Sequence, residues 1–199
     1  MAETTKRTGD ETRRTGDETK AEALRVALAL FSSKGYEATS LREIAEHLGI
    51  SKAALYYHFP SKEHIVTSGL FSRGEEAAEL LAWARTQPPG PERLRAAVLR
   101  WVNSTSVDKL RGIRFINANP TLMSALRASS GQIGDSLETL AQLVAGANAK
   151  PTDLLLVRMA FLSINAAVMA ANGTDLTDED IVAAARENAL ALLDRVAAE

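Results

Sequence analysis

The 199 residues include no cysteine. That excludes a disulfide framework, a thiolate metal site and a cysteine nucleophile. It fits a reducing compartment, and a cytoplasmic location is expected. No run of about 18 apolar residues occurs, which argues against a membrane span. The richest stretch, Met159 to Ala171, is interrupted by Ser163 and Asn165. The polar start of the chain carries no signal-peptide pattern. The formal net charge is −2, so any pull on nucleic acid has to be local. Catalytic patterns are missing too: no H-E-x-x-H, no G-x-S-x-G elbow and no phosphate-cradling glycine loop. The three histidines, His47, His58 and His64, are not spaced as zinc ligands on one helix face. Neither a metal, a cofactor nor an enzymatic activity is expected.

What is present is helix-forming. All six prolines (Pro60, Pro88, Pro89, Pro91, Pro120, Pro151) fall where helical segments would begin or end. No window keeps the period of a strand for long, and an all-α chain is predicted. A first helix is expected from about Asp17 to Lys34, with Leu24, Ala27, Leu28 and Phe31 on one face and Gly35 after its end. Ser40 and Glu43 have capping-box spacing and open a second helix through Leu48. Ser51 caps a short third helix to about His58. Ser61 caps a long fourth, to about Arg85, with Pro60 and Ile65 placed as a staple. Beyond the "TQPPGPE" loop, helices are expected from Pro91 to about Lys109, around Leu110 to Asn117, from Pro120 to Val144, from Pro151 to Ala171 and from Thr177 to Ala197. Gly131 and Gly134 are candidates to kink or split the Pro120 helix.

The start of the chain repeats "RTGDETR" as "RTGDETK". A solvated tail is the favoured reading, because its charges nearly cancel. A DNA-touching arm using Arg13, Arg14 and Lys20 is the alternative.

Residues 40–63, "SLREIAEHLGISKAALYYHFPSKE", hold the informative pattern. Read as helix, turn, helix, it has Ile44, Leu48 and Ile50 as apolar anchors, a small Ala45 at the crossing, and Gly49 in the turn. Leu55 and Phe59 secure the second helix. Arg42, Lys52, Ala53, Ala54, Tyr56, Tyr57 and His58 are left for an outward surface. A helix in the DNA major groove presents N-terminal residues to base edges while flanking groups hold phosphates. Alanine permits close approach and methyl contact with thymine. Tyrosine hydroxyls, His58 and Lys62 can donate to phosphate oxygens.

The stretch "TSLREIAEHLGISKAALYYHFPSKE" resembles the DNA-binding signature of the TetR (tetracycline-repressor-like) family of bacterial transcriptional regulators. The matching features are Ile44-Ala45, Leu48 to Ser51, Leu55 to Phe59 and Ser61 to Glu63, with the likeness reaching back through "GYEATS". It covers about the first third of the chain. The resemblance implies a homodimer on a palindromic double-stranded operator, released by a largely apolar small-molecule effector. By position it implies that Arg42, Lys52, Ala53 and Ala54 face bases, and that Ser40, Ser51, Tyr56, Tyr57, His58 and Lys62 face phosphate. The implied division is a flexible tail over 1–16, a three-helix DNA-binding head over 17–64, and a helical ligand-binding and dimerisation domain over 65–199.

In the remainder, Trp101, Phe115, Met123 and Phe161, with Asn117 and Asn165, are candidates to line an apolar cavity. A Trp or Phe at helical spacing is more often plain core, and Asn117, just before Asn119-Pro120, also suits a helix end. The last two helices have broad apolar faces with small residues such as Ala160, Ala167 and Ala185; in the family such a pair packs against its two-fold mate. Two rivals remain open from the residues alone: a helical enzyme, and a DNA-binding module controlled by a protein partner instead of a ligand.

Overall fold

The computed structural model describes residues 16–197, and their side chains other than those of residues 17, 71, 123, 125, 127–134 and 197. Residues 1–15, with Arg13, Arg14 and the first copy of the repeat, lie outside them; Gly16 to Lys20 of the second copy open the first helix. All regular structure among the described residues is helical. Three helices form the head: α1 (Gly16–Lys34), α2 (Leu41–Leu48) and α3 (Lys52–His58). The long α4 (Lys62–Thr86) leaves the head and runs into the larger body.

Each head helix starts on the residue that the sequence marks. Ser40 accepts the Glu43 N–H at 3.2 Å, and the Glu43 carboxylate faces the Ser40 N–H at 3.4 Å, a complete capping box. Lys34, at the end of α1, pairs with the same carboxylate. Ser51 accepts the Ala54 N–H and Ser61 the His64 N–H. Gly49 sits at φ +67°, where a side chain would be strained, and the Ile50 N–H returns to the Ala45 carbonyl at 3.1 Å. These bonds fix the α2–α3 turn before any tertiary contact.

The body comprises α5 (Pro91–Asn103), α6 (Val107–Ala118), α7 (Pro120–Ala125), α8 (Arg127–Ala145), α9 (Pro151–Phe161), α10 (Ser163–Ala170) and α11 (Asp178–Ala197). Helix α4 packs along α8, and α11 packs against α5, α9 and α10. Three long helices predicted from the sequence are shorter than expected. The Pro91 helix stops at Asn103, because Ser106 caps α6 by accepting the Lys109 N–H; the "STS" run prefers caps to helix interior. The Pro120 helix divides at Leu126, not at Gly131 or Gly134, and no side chain caps the break. The Pro151 helix bends by 57° at Leu162. Here the Trp101 indole N–H donates to the Phe161 carbonyl at 3.1 Å, and the buried Ser163 hydroxyl donates back to the Met159 carbonyl. Both draw carbonyls off the helix ladder.

Two cores result. The body core gathers Val98, Trp101, Leu110, Leu140, Val157, Ile164 and Ala185. The head core gathers Ala27, Phe31, Ile44, Leu55, Phe59 and Ile65, and takes in the buried Phe115 of α6, with Leu122 and Leu126 of the body packed against it. No single described helix is long and apolar enough to cross a membrane; the bent α9–α10 pair is apolar because Val157, Phe161, Ile164 and Val168 line the body core.

Phe115→Ala empties a position shared by head and body. It is expected to cost about 3–5 kcal/mol, read as a lowered urea midpoint. An unchanged midpoint would show that the two parts are not joined there.

Candidate nucleic-acid interface and effector cleft

The four rings of "YYHF" separate by helical position. Leu55 and Phe59 are buried against the head core. Tyr57, one step round the helix, is 86% exposed, and Tyr56 is 43% exposed. Lys52 lies over the Tyr56 ring at 5.2 Å, which steadies its long side chain on the α3 surface. Tyr57 and His58 meet edge to face at 5.2 Å, with His58 half-buried. Ala53 and Ala54 are exposed, leaving a low strip between the lysine and the tyrosines. Arg42 stands out from α2 and pairs with Glu46 at 2.8 Å. That pair is fully at the surface and worth little, so the guanidinium is free to exchange partners. Ser40 and Ser51 use their oxygens as cap acceptors, while each O–H stays available as a donor.

Lys62, expected to face phosphate, has partners within the fold. Its ammonium donates to the Tyr36 carbonyl at 2.7 Å and approaches the Glu37 carbonyl at 3.5 Å. It also sits over the Tyr36 ring, 4.4 Å from the centroid. A phosphate contact would compete with these bonds. Next to it, the Tyr36 O–H donates to Glu63 at 2.7 Å. Burial, then the adjacent carboxylate, holds the phenol well above its ordinary range. The Ser61 hydroxyl, then the Tyr36 hydroxyl, holds Glu63 below its ordinary value. The Tyr36 ring packs on Phe31 and Phe115, with centroids 4.9 and 5.8 Å away. One tyrosine thus ties the α1–α2 loop, the start of α4 and the body's α6.

A cleft of about 1150 Å³ opens between α1, α4 and α6 and reaches the α9–α10 bend. Of the expected lining residues, Trp101, Phe115, Phe161 and Asn165 border it. Asn117 does not: it is exposed near the end of α6, as a helix-ending residue would be. Met123 is on α7, and its side chain lies outside the described residues. Phe115 borders the cleft but belongs chiefly to the head core. The sequence reading missed Tyr36, Glu63, Arg73, Glu76 and Lys109. Arg73 and Glu76 carry a weak signal, the i, i+3 spacing of an ion pair on one helix. Lys109 carries none, because its partner is 33 positions away in sequence. No group of three or more metal-ligating side chains is found among the described residues.

Residues 23–68 match the family model described as bacterial regulatory proteins, tetR family. The match runs from α1 into the first turns of α4 and takes in the whole α2–turn–α3 unit. Over 39 residues the chain is 56% identical to IcaR of Staphylococcus aureus (strain Newman), a negative transcriptional regulator of the biofilm operon; the match covers 20% of this chain and 21% of IcaR. The chain spans about a fifth of the length of the curated relatives it matches. The whole fold is similar to that of Mycobacterium smegmatis AmtR, with a TM-score of 0.60 and 23% identity over 91% of this chain and 88% of AmtR. It is also similar to a tetR-family regulatory protein from Rhodococcus RHA1, with a TM-score of 0.57 and 22% identity over 87% and 94% of the two chains. At such identities the structures establish a shared all-α tetR-type fold. The sequence likeness is concentrated in the head, where α2, the turn and α3 are held by the caps described above.

The depressed Glu63 carboxyl carries a sign. Its bonds stabilise the head above its ordinary value of 4.5, and that contribution fades as pH falls through the lower folded value. The melting-temperature gap between wild type and Glu63→Gln is therefore expected to be widest near neutral pH and to close in acid. A gap independent of pH would show that the carboxylate charge plays no part.

Proposed function

We propose that this chain is a sequence-specific DNA-binding transcriptional repressor, acting as a homodimer on a palindromic operator and released by a small molecule. The observation that carries the reading is the outward flank of α3. A buried pair, Leu55 and Phe59, fixes the helix, while Lys52, Ala53, Ala54, Tyr56 and Tyr57 are spent on solvent. Keeping two tyrosines at the surface gives the fold little. It suits a rod seated in a groove, with Lys52, Ala53, Ala54 and Arg42 toward bases and the hydroxyls of Tyr56, Tyr57, Ser40 and Ser51, with His58, toward phosphates. Lys62 is proposed as a clip that holds the start of α4 to the α1–α2 loop.

A dimer is supported by a second surface. Leu155, Met159 and Leu162 recur at i, i+4 and i+7 along α9 and are 54, 45 and 49% exposed; Met169 on α10 is 64% exposed. Helix α11, which packs against α9 and α10, adds the exposed small side chains of Ala184 and Ala191. Two copies of this face suit a two-fold helical interface, and a two-fold axis suits half-sites about 34–36 Å apart. The similarity to IcaR supports repression. The cleft beside α4 supports effector control, because a ligand that favours one placement of α4 would shift the heads.

Selection of bound DNA from a random pool tests the reading: a two-fold symmetric site is expected, and recovery of no preferred sequence would refute it. On that site, Lys52→Ala and Arg42→Ala are expected to relax preference at particular positions. Lys62→Ala is expected to lower the melting temperature by weakening the head, by about 1–2 kcal/mol, with the salt dependence of DNA binding unchanged. A salt slope reduced by about one would instead return Lys62 to a phosphate. Met159→Glu is expected to turn the dimer into monomer in analytical ultracentrifugation, and an intact dimer would move the interface elsewhere.

A further inference from the structure

One wall of the cleft is charged in an unbalanced way. Arg73 enters it from α4 with its side chain only 15% exposed. The guanidinium lies flat on Trp101, 3.5 Å from the ring centroid. Its Nη1 donates to Glu76 at 2.6 Å and to the Ser104 hydroxyl at 3.1 Å. Its Nε and Nη2 donate to none of the described residues. Lys109, from α6, reaches the other oxygen of Glu76 at 2.8 Å and the Ser104 carbonyl at 2.6 Å. Both Glu76 oxygens are thus taken, and two cations share one carboxylate. Burial, opposed by Glu76, pushes the Arg73 guanidinium below its ordinary value, so this cation is poorly hydrated.

The other acids around the cleft do not restore the balance. Asp108 pairs with Arg111 at 3.1 Å, and Glu63 accepts from Tyr36. Glu75 is exposed and makes no ion pair with Arg73 or Lys109. Beyond the charged wall, Leu70, Ile113, Leu137, Phe161 and Ile164 give the cleft apolar surface, while His58, His64, Thr67 and Asn165 are among the polar groups that also border it.

We propose that this cleft binds an organic acid: an apolar body carrying one carboxylate, which the free Nε–Nη2 edge of Arg73 receives while Lys109 stands beside it. The inference rests on the effector-released reading above and names the chemistry of that effector. A planar carboxylate fits the side of a guanidinium through two parallel hydrogen bonds. A cationic ligand would find the Glu76 oxygens already engaged. A phosphate dianion would bring more negative charge than the single surplus cation offsets. The ligand would bridge α4, which carries Arg73, to α6, which carries Lys109, and would lie against the Trp101 indole that bonds the α9–α10 bend.

The test uses the full chain and two matched series at neutral pH: octanoate, octanamide and octylamine; and indole-3-acetate, indole-3-acetamide and tryptamine. Thermal shift and calorimetry read binding, and operator release is followed in parallel. At least one acid is expected to bind about ten- to a hundredfold more tightly than its own amide. Arg73→Gln and, separately, Lys109→Gln are expected to erase that preference while leaving the amide's affinity in place; Arg73→Lys is expected to keep part of it. If Arg73→Gln does not fold, Lys109→Gln carries the comparison. An amide or amine that matches its acid, an acid preference that survives both variants, or a protein that no member of either series stabilises overturns the proposal. Release of DNA by an amine or amide alone would keep effector control and defeat the carboxylate site. An acid that binds through Arg73 but leaves DNA bound would keep the site and defeat effector control.

Discussion

Tyr36 stands in the loop between α1 and α2, and the arrangement of the two halves depends on how its two faces and its hydroxyl are used. One side of the ring meets Phe31 of α1 and Phe115 of α6, and the Lys62 ammonium lies over the ring as well. The hydroxyl is held by Glu63. Each contact alone is modest, on the order of 1 kcal/mol. Together they make the loop, the first turn of α4 and a body helix into one packed unit. Removing the ring would not only open a cavity; it would take the hydroxyl from Glu63 and the ring face from Lys62, leaving Lys62 only its backbone carbonyl partners.

This unit gives the cleft its mechanical setting. Arg73 is three helical turns beyond Lys62 on the same uninterrupted α4. Lys109 and Phe115 share α6, one facing the charged wall and the other the head core. Any change in the spacing of α4 and α6 at the proposed carboxylate site would be felt at Tyr36, because packed side chains rearrange between discrete fits and do not stretch. Gly69 brings α4 close to α1 on the way: an added Cβ would come within 2.9 Å of Leu24. At that level α4 and α1 meet with little slack.

The bent α9–α10 pair shows a different economy. Its inner face serves the body core and its outer face is left apolar. A composition that passes for a membrane segment is thus explained by one packed face and one face suited to a second copy. The bend at Leu162 comes from a tryptophan sixty residues earlier in the chain and from a serine bonding back to its own helix, without proline or glycine.

The head was legible in the residues because its determinants are local. Ser40 with Glu43, Ser51, Gly49 and Ser61 each act within a few positions, and the inward Leu55 and Phe59 follow from helical spacing. The same local logic placed α4 and separated the buried rings of α3 from the exposed ones. The sequence could not reveal what depends on residues far apart in the chain. Lys62 reads as a phosphate donor, and only folding shows that the Tyr36 carbonyl lies 2.7 Å from it. Phe115 read as a pocket residue, while tertiary packing gave it chiefly to the head core, and Asn117 was left in solvent. The Arg73–Glu76–Lys109 cluster and the break at Leu162 likewise required α4, α5, α6 and α9 to be assembled. Capping, turn conformation and amphipathic period are set by neighbours along the chain, whereas charge partners and cavity walls are set by which helices pack together.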